Sequence, residues 1–370
     1  MKYYIIAGEA SGDLHGSNLI KELKKLDTTS LIRCWGGDKM QNEGAELVKH
    51  YRHLAFMGFA EVIMNLRTIF RNLAFCKQDI LQYKPDVLIL IDYPGFNLRI
   101  AKWARKEGLK IIYYISPQVW AWKENRVKMM RQCIDKMLVI LPFEKTYFKT
   151  KWNWEVEYVG HPLVEVAEQE KTKKESARLS EKKIVALLPG SRRQEILKKL
   201  PIMLEVSKSF PEYQFIVAKA PGASEEFYND LLKSYDNVSF VANKTYDLLK
   251  QSQAALVTSG TATLETALFE VPEVVCYKGS WLSYQIGKRL IKVKYISLVN
   301  LIMDRLVVKE LIQNDLTVEN LKAELNDLLF NEKRIEQIKN DYRILKEKLH
   351  KAGNASEEAA TSIIQFLSGK

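Results

Sequence analysis

Tyr3-Tyr4-Ile5-Ile6-Ala7-Gly8-Glu9-Ala10-Ser11-Gly12-Asp13-Leu14 sets the pattern of the chain: an apolar run, a turn of small and acidic residues, then an amphipathic stretch to residue 26. A strand feeding a turn and then a helix is one step of a βαβ unit. The step recurs. Candidate strands lie at residues 31–35, 87–91, 110–115, 137–141 and 157–159, then at 183–188, 213–217, 238–241, 254–258 and 273–277. Helical patterns fall between them, as at 100–107 and 196–209. Alternation of this kind predicts an α/β fold with parallel sheets. At roughly 100–200 residues per domain, 370 residues give two domains.

Residues 165–183 hold eleven charged side chains among nineteen and little apolar periodicity, which reads as a linker. The expected organisation is two Rossmann-like, doubly wound domains, 1–164 and 184–340, facing across a cleft. At the C-terminus, Ile335, Ile338, Tyr342, Leu345 and Leu349 recur at helical spacing, and Ser356 reads as the N-cap of a last helix. The apolar faces of 341–370 have to be buried, on the first domain or on a second subunit, and a homodimer is expected.

Composition narrows the function. Hydrophobic residues make up 47% and charged residues 27%, values of a globular protein and not of a disordered or fibrous one. No apolar run nears the ~18 residues of a spanning helix, and the N-terminus carries no signal-like segment, so a cytoplasmic protein is expected. Four scattered cysteines make neither a disulfide framework nor a zinc site. His50 and His53 are a close pair with no third ligand nearby, so no metal is expected. A net charge of +11 fits an anionic partner, whether nucleic acid, a membrane surface or a phosphorylated substrate.

In doubly wound sheets ligands bind beyond the carboxyl ends of strands, so the strand-to-helix turns carry the candidates. The turn Gly8–Asp13 has neither G-x-G-x-x-G spacing nor a P-loop lysine, and its acids would repel a phosphate. It reads as a hydroxyl-binding loop with Glu9 as acceptor, or as a tight turn with Asp13 in the first helical turn. Leu188-Pro189-Gly190-Ser191-Arg192-Arg193-Gln194-Glu195 reads as a helix start with a Ser191–Gln194 capping box. Arg192 beside that positive helix end would attract a phosphate. In Thr258-Ser259-Gly260-Thr261-Ala262-Thr263-Leu264-Glu265, a small-residue turn presents backbone N–H groups to a diphosphate. Glu265, one turn on, would hold the hydroxyls of a ribose, or simply face the helix dipole. Asp92 ends the apolar run 87–91. Burial there would raise its pKa towards that of a general base, against the alternative of a turn-forming Asp before Pro94.

Two aromatic-rich stretches complete the survey. Ser116-Pro117-Gln118-Val119-Trp120-Ala121-Trp122 follows a strand and is placed to wall the same cleft. Residues 57–77 carry Phe59, Val62, Ile63, Leu66, Phe70 and Leu73 on one stripe among Arg67, Arg71 and Lys77, with Met64, Ile69 and Phe75 off it. That segment reads as core or as a membrane-surface element.

Taken together the motifs resemble the lipid-A-disaccharide synthase family. Those that carry the resemblance are residues 7–16, 116–122, 141–144, 159–162, 188–192, 259–265 and 295–300, in family order across nearly the whole chain. The resemblance implies an inverting, metal-independent GT-B glycosyltransferase without cofactor. It implies transfer of 2,3-diacylglucosamine from UDP to the 6-hydroxyl of 2,3-diacylglucosamine 1-phosphate (lipid X), giving the β-1,6 lipid A disaccharide. It places Arg192, Ser259, Gly260, Thr261, Ala262, Glu265 and Asn300 on the UDP-sugar side, and Glu9 and Asp92 as essential acids, Asp92 as base. Ser11, Asp13, Asn97, Gln118 and Trp120 are candidates for the acceptor side. It also implies no nucleic-acid partner and a peripheral place on the anionic cytoplasmic face of the inner membrane. One departure is Gly95, where many members have a second acid, so Asp92 stands without a carboxylate pair in its own motif. Another UDP-sugar GT-B enzyme, or a non-catalytic UDP-sugar sensor, is the alternative.

Overall fold

The computed structural model describes residues 1–54, 66–173, 177–220, 222–280, 284–285, 293–350 and 353–369. The chain forms two compact units, residues 1–162 with 350–370, and residues 163–349.

The first unit is built on one parallel sheet of β1 (Lys2–Ala7), β2 (Leu31–Gly36), β3 (Glu46–His50), β4 (Val87–Ile91), β5 (Ile111–Tyr114), β6 (Lys136–Val139) and β7 (Glu157–Tyr158). Its strand order is β3-β2-β1-β4-β5-β6-β7. The central strands are aliphatic and aromatic throughout because helices cover both faces of a parallel sheet, and β4 is buried at every position. The order reverses between β1 and β4, which pair in parallel from Tyr3↔Val87 to Ala7↔Ile91. The loops at the ends of those two strands, at Gly8-Glu9 and at Asp92, therefore open at one switch point.

The second unit repeats the plan with β8 (Lys183–Leu188), β9 (Tyr213–Lys219), β10 (Val238–Ala242), β11 (Ser252–Thr258), β12 (Glu273–Tyr277) and β13 (Lys309–Ile312). Its order is β10-β9-β8-β11-β12-β13, all parallel, with the reversal between β8 and β11. The turns after Leu188 and after Thr258 share that switch point.

Two strands go beyond the sequence reading. β3 and β13 are edge strands of only partly buried, charge-containing sequence, Glu-Leu-Val-Lys-His and Lys-Glu-Leu-Ile, and have little apolar signal to read. The linker reading of 165–183 is corrected at its start. Pro162–Thr172 is a helix, because Leu163, Val164, Val166 and Ala167 supply a buried face among the charges. The boundary accordingly falls at 162–163.

The C-terminal reading is corrected too. The helix Glu332–Leu349 stays with the second unit, and Ile338, Tyr342, Leu345 and Leu349 are buried there. Only the last helix, Ala355–Leu367, belongs to the first unit. Its Ala359, Ala360 and Ile363 join Leu19, Ile20 and Leu23 of the helix Ala10–Leu26 in one core, and Ser362 Oγ donates to Glu157 Oε2 at 2.5 Å. Its N-cap is Asn354, while Ser356 lies inside the helix and is buried. The stripe of Ile338, Tyr342, Leu345 and Leu349 is thus buried within the second unit, where the sequence pointed to the first domain or a second subunit.

Candidate functional site

In the second unit the two switch-point turns line a cavity of about 370 Å³. Leu188, Gly190, Ser191 and Arg192 come from the first turn, and Thr258, Ser259, Gly260, Thr261, Ala262 and Glu265 from the second. The helices Arg193–Ser207 and Thr261–Leu268 both begin here, with Arg192 and Gly260 as N-caps and no side-chain cap on either. The first N–H groups of a helix have no partner inside it, so two sets of donors are directed at one cavity. Gly260 stands at φ 125°, a conformation that a side chain would strain. The Ser191–Gln194 capping box is not formed, because the N-cap is Arg192 and the helix starts one residue later than that pattern requires.

Arg192 lines the cavity as expected and pairs with Glu195, Nη1 to Oε1 at 3.0 Å. Lys219 at the end of β9 adds a second cation to the wall. Ser259 Oγ donates to the Ile296 carbonyl at 3.2 Å, which ties the second turn to the segment leading into the helix Leu298–Met303. Glu265 accepts a hydrogen bond from Tyr246 Oη at 2.9 Å, and burial raises its pKa.

Asn300 does not line the cavity. It is fully buried, and all four bonds of its amide are spent internally. Nδ2 donates to the Val308 carbonyl and to Glu310 Oε1, each at 2.8 Å, while Oδ1 accepts from the backbone N–H of Val307 at 2.8 Å and of Val308 at 3.0 Å. The Glu310 carboxylate also accepts from the backbone N–H of Ile296 and Ser297, 3.0 Å each to the nearer oxygen. The residue placed on the donor side by resemblance therefore braces the segment that Ser259 leans on.

In the first unit Asp92 follows β4 with φ 43°, and Tyr93 follows at φ 48°. Two successive left-handed non-glycine residues cost of the order of 1–3 kcal/mol each and persist only where the surroundings over-determine them. They do here. Asp92 N–H donates to the Tyr114 carbonyl at 3.1 Å, and the Asp92 carbonyl accepts from Tyr113 Oη at 2.5 Å and Asn97 Nδ2 at 2.8 Å. The backbone is clamped and the carboxylate is turned into a largely desolvated place. Burial, then the charge of Glu9, raises its pKa from 3.8 to about 6, opposed by a hydrogen bond from the Tyr93 backbone. Glu9 is the N-cap of the helix Ala10–Leu26 but makes no side-chain cap bond. The electrostatic partner missing from the Asp92 motif at Gly95 is thus supplied from the end of β1.

The acceptor-side candidates divide. Asp13 accepts from the backbone N–H of Gly37 at 2.7 Å, Met40 at 3.1 Å and Lys39 at 3.2 Å, so its carboxylate caps the helix Asp38–Asn42. Asn97, fully buried, holds the Asp92 turn. These two are corrected to positioning residues. Ser11 and Gln118 are exposed, and Trp120 is half-buried. Trp120 Nε1 donates to Glu144 Oε1 at 3.1 Å. Glu144 is the acid that residue-by-residue reading missed. It closes a capping box on the Leu141 N–H at 3.0 Å, and such a glutamate is normally solvated. Here it is buried, and burial raises its pKa to about 8, with the Asp92 charge a minor cause.

Of the segment 57–77, Phe59, Val62, Ile63 and Met64 lie outside the described residues, and the helix Leu66–Tyr83 carries the rest. Leu73 is core, whereas Phe70 and Phe75 are 61% and 43% exposed beside exposed Arg67 and Arg71. Among the described residues, no helix is long and apolar enough to cross a membrane. All four cysteines are buried and unpaired.

The family model described as lipid-A-disaccharide synthetase matches residues 3–364. Lipid-A-disaccharide synthase of Geobacter metallireducens is 39% identical over 375 residues, covering 99% of this chain and 97% of that protein. Lipid-A-disaccharide synthase 1 of Legionella pneumophila is 38% identical over 378 residues, covering 98% and 96%. Among solved structures, the UDP co-structure of S. aureus MnaA superposes with a TM-score of 0.72 at 13% identity, covering 99% of this chain and 97% of that one. UDP-GlcNAc 2-epimerase of Neisseria meningitidis bound to UDP-GlcNAc gives 0.66 at 15% identity, with both chains covered fully. The calicheamicin glycosyltransferase CalG4 gives 0.62 at 13% identity, covering 100% and 98%. These likenesses show the fold, two Rossmann-like units of GT-B type.

Proposed function

Since the chain belongs to the lipid-A-disaccharide synthase family, we propose that this glycosyltransferase moves 2,3-diacylglucosamine from UDP to the 6-hydroxyl of 2,3-diacylglucosamine 1-phosphate. The observation that carries the reading is the switch-point cavity of the second unit, where two uncapped helix starts and Arg192 converge. That is the chemistry of a diphosphate seat, and Glu265 at its edge suits the hydroxyls of a ribose. Neighbours of the same fold solved with UDP or UDP-GlcNAc support a nucleotide sugar as donor.

The acceptor needs a base. Asp92, with a pKa of about 6, is largely ionised at pH 7 and yet more basic than an ordinary aspartate. It takes the proton of the 6-hydroxyl as that oxygen bonds to C1 of the donor. The bond from C1 to the diphosphate oxygen breaks on the opposite face, so the configuration inverts and UDP leaves with the electron pair. Arg192 and the helix N-termini stabilise the charge that develops on the leaving group, which is where such donors act most strongly.

Both substrates carry acyl chains, and the protein must reach them at a membrane. Exposed Phe70 and Phe75 next to Arg67 and Arg71 combine apolar insertion with attraction to anionic lipid, the pairing a peripheral contact requires. The direct test incubates the purified chain with UDP-2,3-diacylglucosamine and the diacylated 1-phosphate, and reads products by mass spectrometry. A disaccharide 1-phosphate and UDP in equal amounts are expected. An epimerised UDP-sugar with no disaccharide would replace this reading with that of the epimerase neighbours.

A further inference from the structure

Arg192, Glu195 and Lys199 are spaced i, i+3, i+7 at the start of the helix Arg193–Ser207 and so share one face. Glu195 stands between the two cations, with Oε1 3.0 Å from Arg192 Nη1 and Oε2 4.0 Å from Lys199 Nζ. The same Oε2 is 2.9 Å from where a Cβ on Gly190 would stand, so the carboxylate lies against the first turn of the cavity, and Glu195 lines it. Lys199 is 2% exposed and donates to Thr258 Oγ1 at the end of β11. One ammonium thus joins the two turns from beneath.

A buried ammonium needs a compensating charge, and among the described residues its ion pair is with Glu195. Burial lowers the Lys199 pKa while the Glu195 charge acts against that fall. A carboxylate so placed occupies the position suited to an anionic ligand, and it repels any second anion brought there. We propose that Glu195 is the resident counter-ion of Arg192 and Lys199, and that a diphosphate binds by taking its place between them. Glu195 then holds affinity for the diphosphate down and favours release of the product when it swings back. The inference rests on the reading of this cavity as the UDP seat.

The test measures binding of UDP, uridine and inorganic pyrophosphate to the full chain by calorimetry, for wild type, Glu195→Gln and Lys199→Met. The amide keeps the size of the carboxylate and removes its charge. Glu195→Gln is expected to tighten UDP and pyrophosphate by roughly tenfold or more, as befits a removed charge a few ångströms away, with uridine unchanged. Lys199→Met is expected to weaken the same two ligands by roughly tenfold or more. Should burial of the methionine unfold that variant, Glu195→Gln decides alone, since its side chain is 37% exposed and thermal unfolding checks the fold. Unchanged or weaker UDP and pyrophosphate binding in Glu195→Gln overturns the proposal and leaves Glu195 as a first-turn acid facing the dipole. A wild-type chain that binds pyrophosphate, tightened in Glu195→Gln, but not UDP removes the UDP reading and keeps the exchange. A wild type that binds neither overturns both.

Discussion

Replacing Glu9 by Gln should move the acid limb of activity without touching the base itself. Asp92 is raised from 3.8 to about 6, and a rise of about two pH units corresponds to roughly 3 kcal/mol against the charged form. Burial is the larger cause and the Glu9 charge the smaller, so removing that charge should lower the Asp92 pKa and still leave it above the ordinary aspartate value. The base works ionised. Turnover is therefore lost as pH falls through about 6 in the wild type, and at a lower pH in Glu9→Gln. The assay is kcat/KM from pH 4.5 to 8, each variant normalised to its own plateau, and near pH 5 the variant should retain the larger fraction. Asp92→Asn should cut turnover about 10²–10⁴-fold on the plateau above pH 6, where the wild-type base is ionised. The stability sign is opposite to the catalytic one. An acid with a raised folded pKa binds protons more tightly folded than unfolded, so the fold loses stability as pH rises from about 4 through about 6. Asp92→Asn removes that loss and should stabilise the protein at pH 7, by at most about 3 kcal/mol since Asp92 is not fully buried. An acid limb that stays in place in Glu9→Gln would refute the coupling. A limb that survives in Asp92→Asn with near wild-type turnover would refute the base.

Arg192→Ala should weaken UDP by about 1.5–3 kcal/mol and uridine hardly at all, since only the diphosphate offers a charged partner; equal losses in titration calorimetry would place the guanidinium elsewhere. Asn300→Ala leaves the N–H groups of Val307 and Val308 and the Val308 carbonyl without their amide partner in the core and takes one donor from Glu310, and should cost about 2–4 kcal/mol in urea unfolding. An unchanged unfolding midpoint would return Asn300 to direct ligand contact. Phe70→Ser with Arg71→Ser should reduce binding to vesicles containing anionic lipid while circular dichroism stays unchanged, because both side chains are exposed. Equal vesicle binding by the pair and the wild type would move the membrane contact off this helix.

The turns at 188–192, 258–265 and 92 were legible because strand, turn and helix are adjacent in sequence and their chemistry is local. What failed to show was set by distant residues. Asn300 reads as a ligand-side amide until residues 307–310 are brought beside it. Asp13 reads as a loop acid until Gly37, Lys39 and Met40 present their N–H groups to it. Lys199 carries no local signal in the sequence, and only the pairing of β8 with β11 places Thr258 beside it. The edge strands β3 and β13 carry charge because one side of each has no strand partner, which leaves little apolar pattern to find.

The two sheets answer why one fold occurs twice in a chain with one reaction. Both reverse strand order at the same point, between their first and fourth strands, so both present two turns to a ligand. The first sheet fills that point with Glu9 and Asp92, which repel phosphate, and the Glu9 charge raises the cost of ionising Asp92. The second fills it with Arg192 and Lys219 around two helix starts, with Lys199 buried beside Glu195, charges that suit the diphosphate of the proposed donor. Exchanging the charges would serve neither role. A cation beside Asp92 would pull its pKa down towards the ordinary aspartate value and make it a weaker base. Glu9→Lys, by that reasoning, should bind UDP as the wild type does and still turn over more slowly at pH 7. A loss confined to UDP affinity would show that Glu9 serves the donor and not the base.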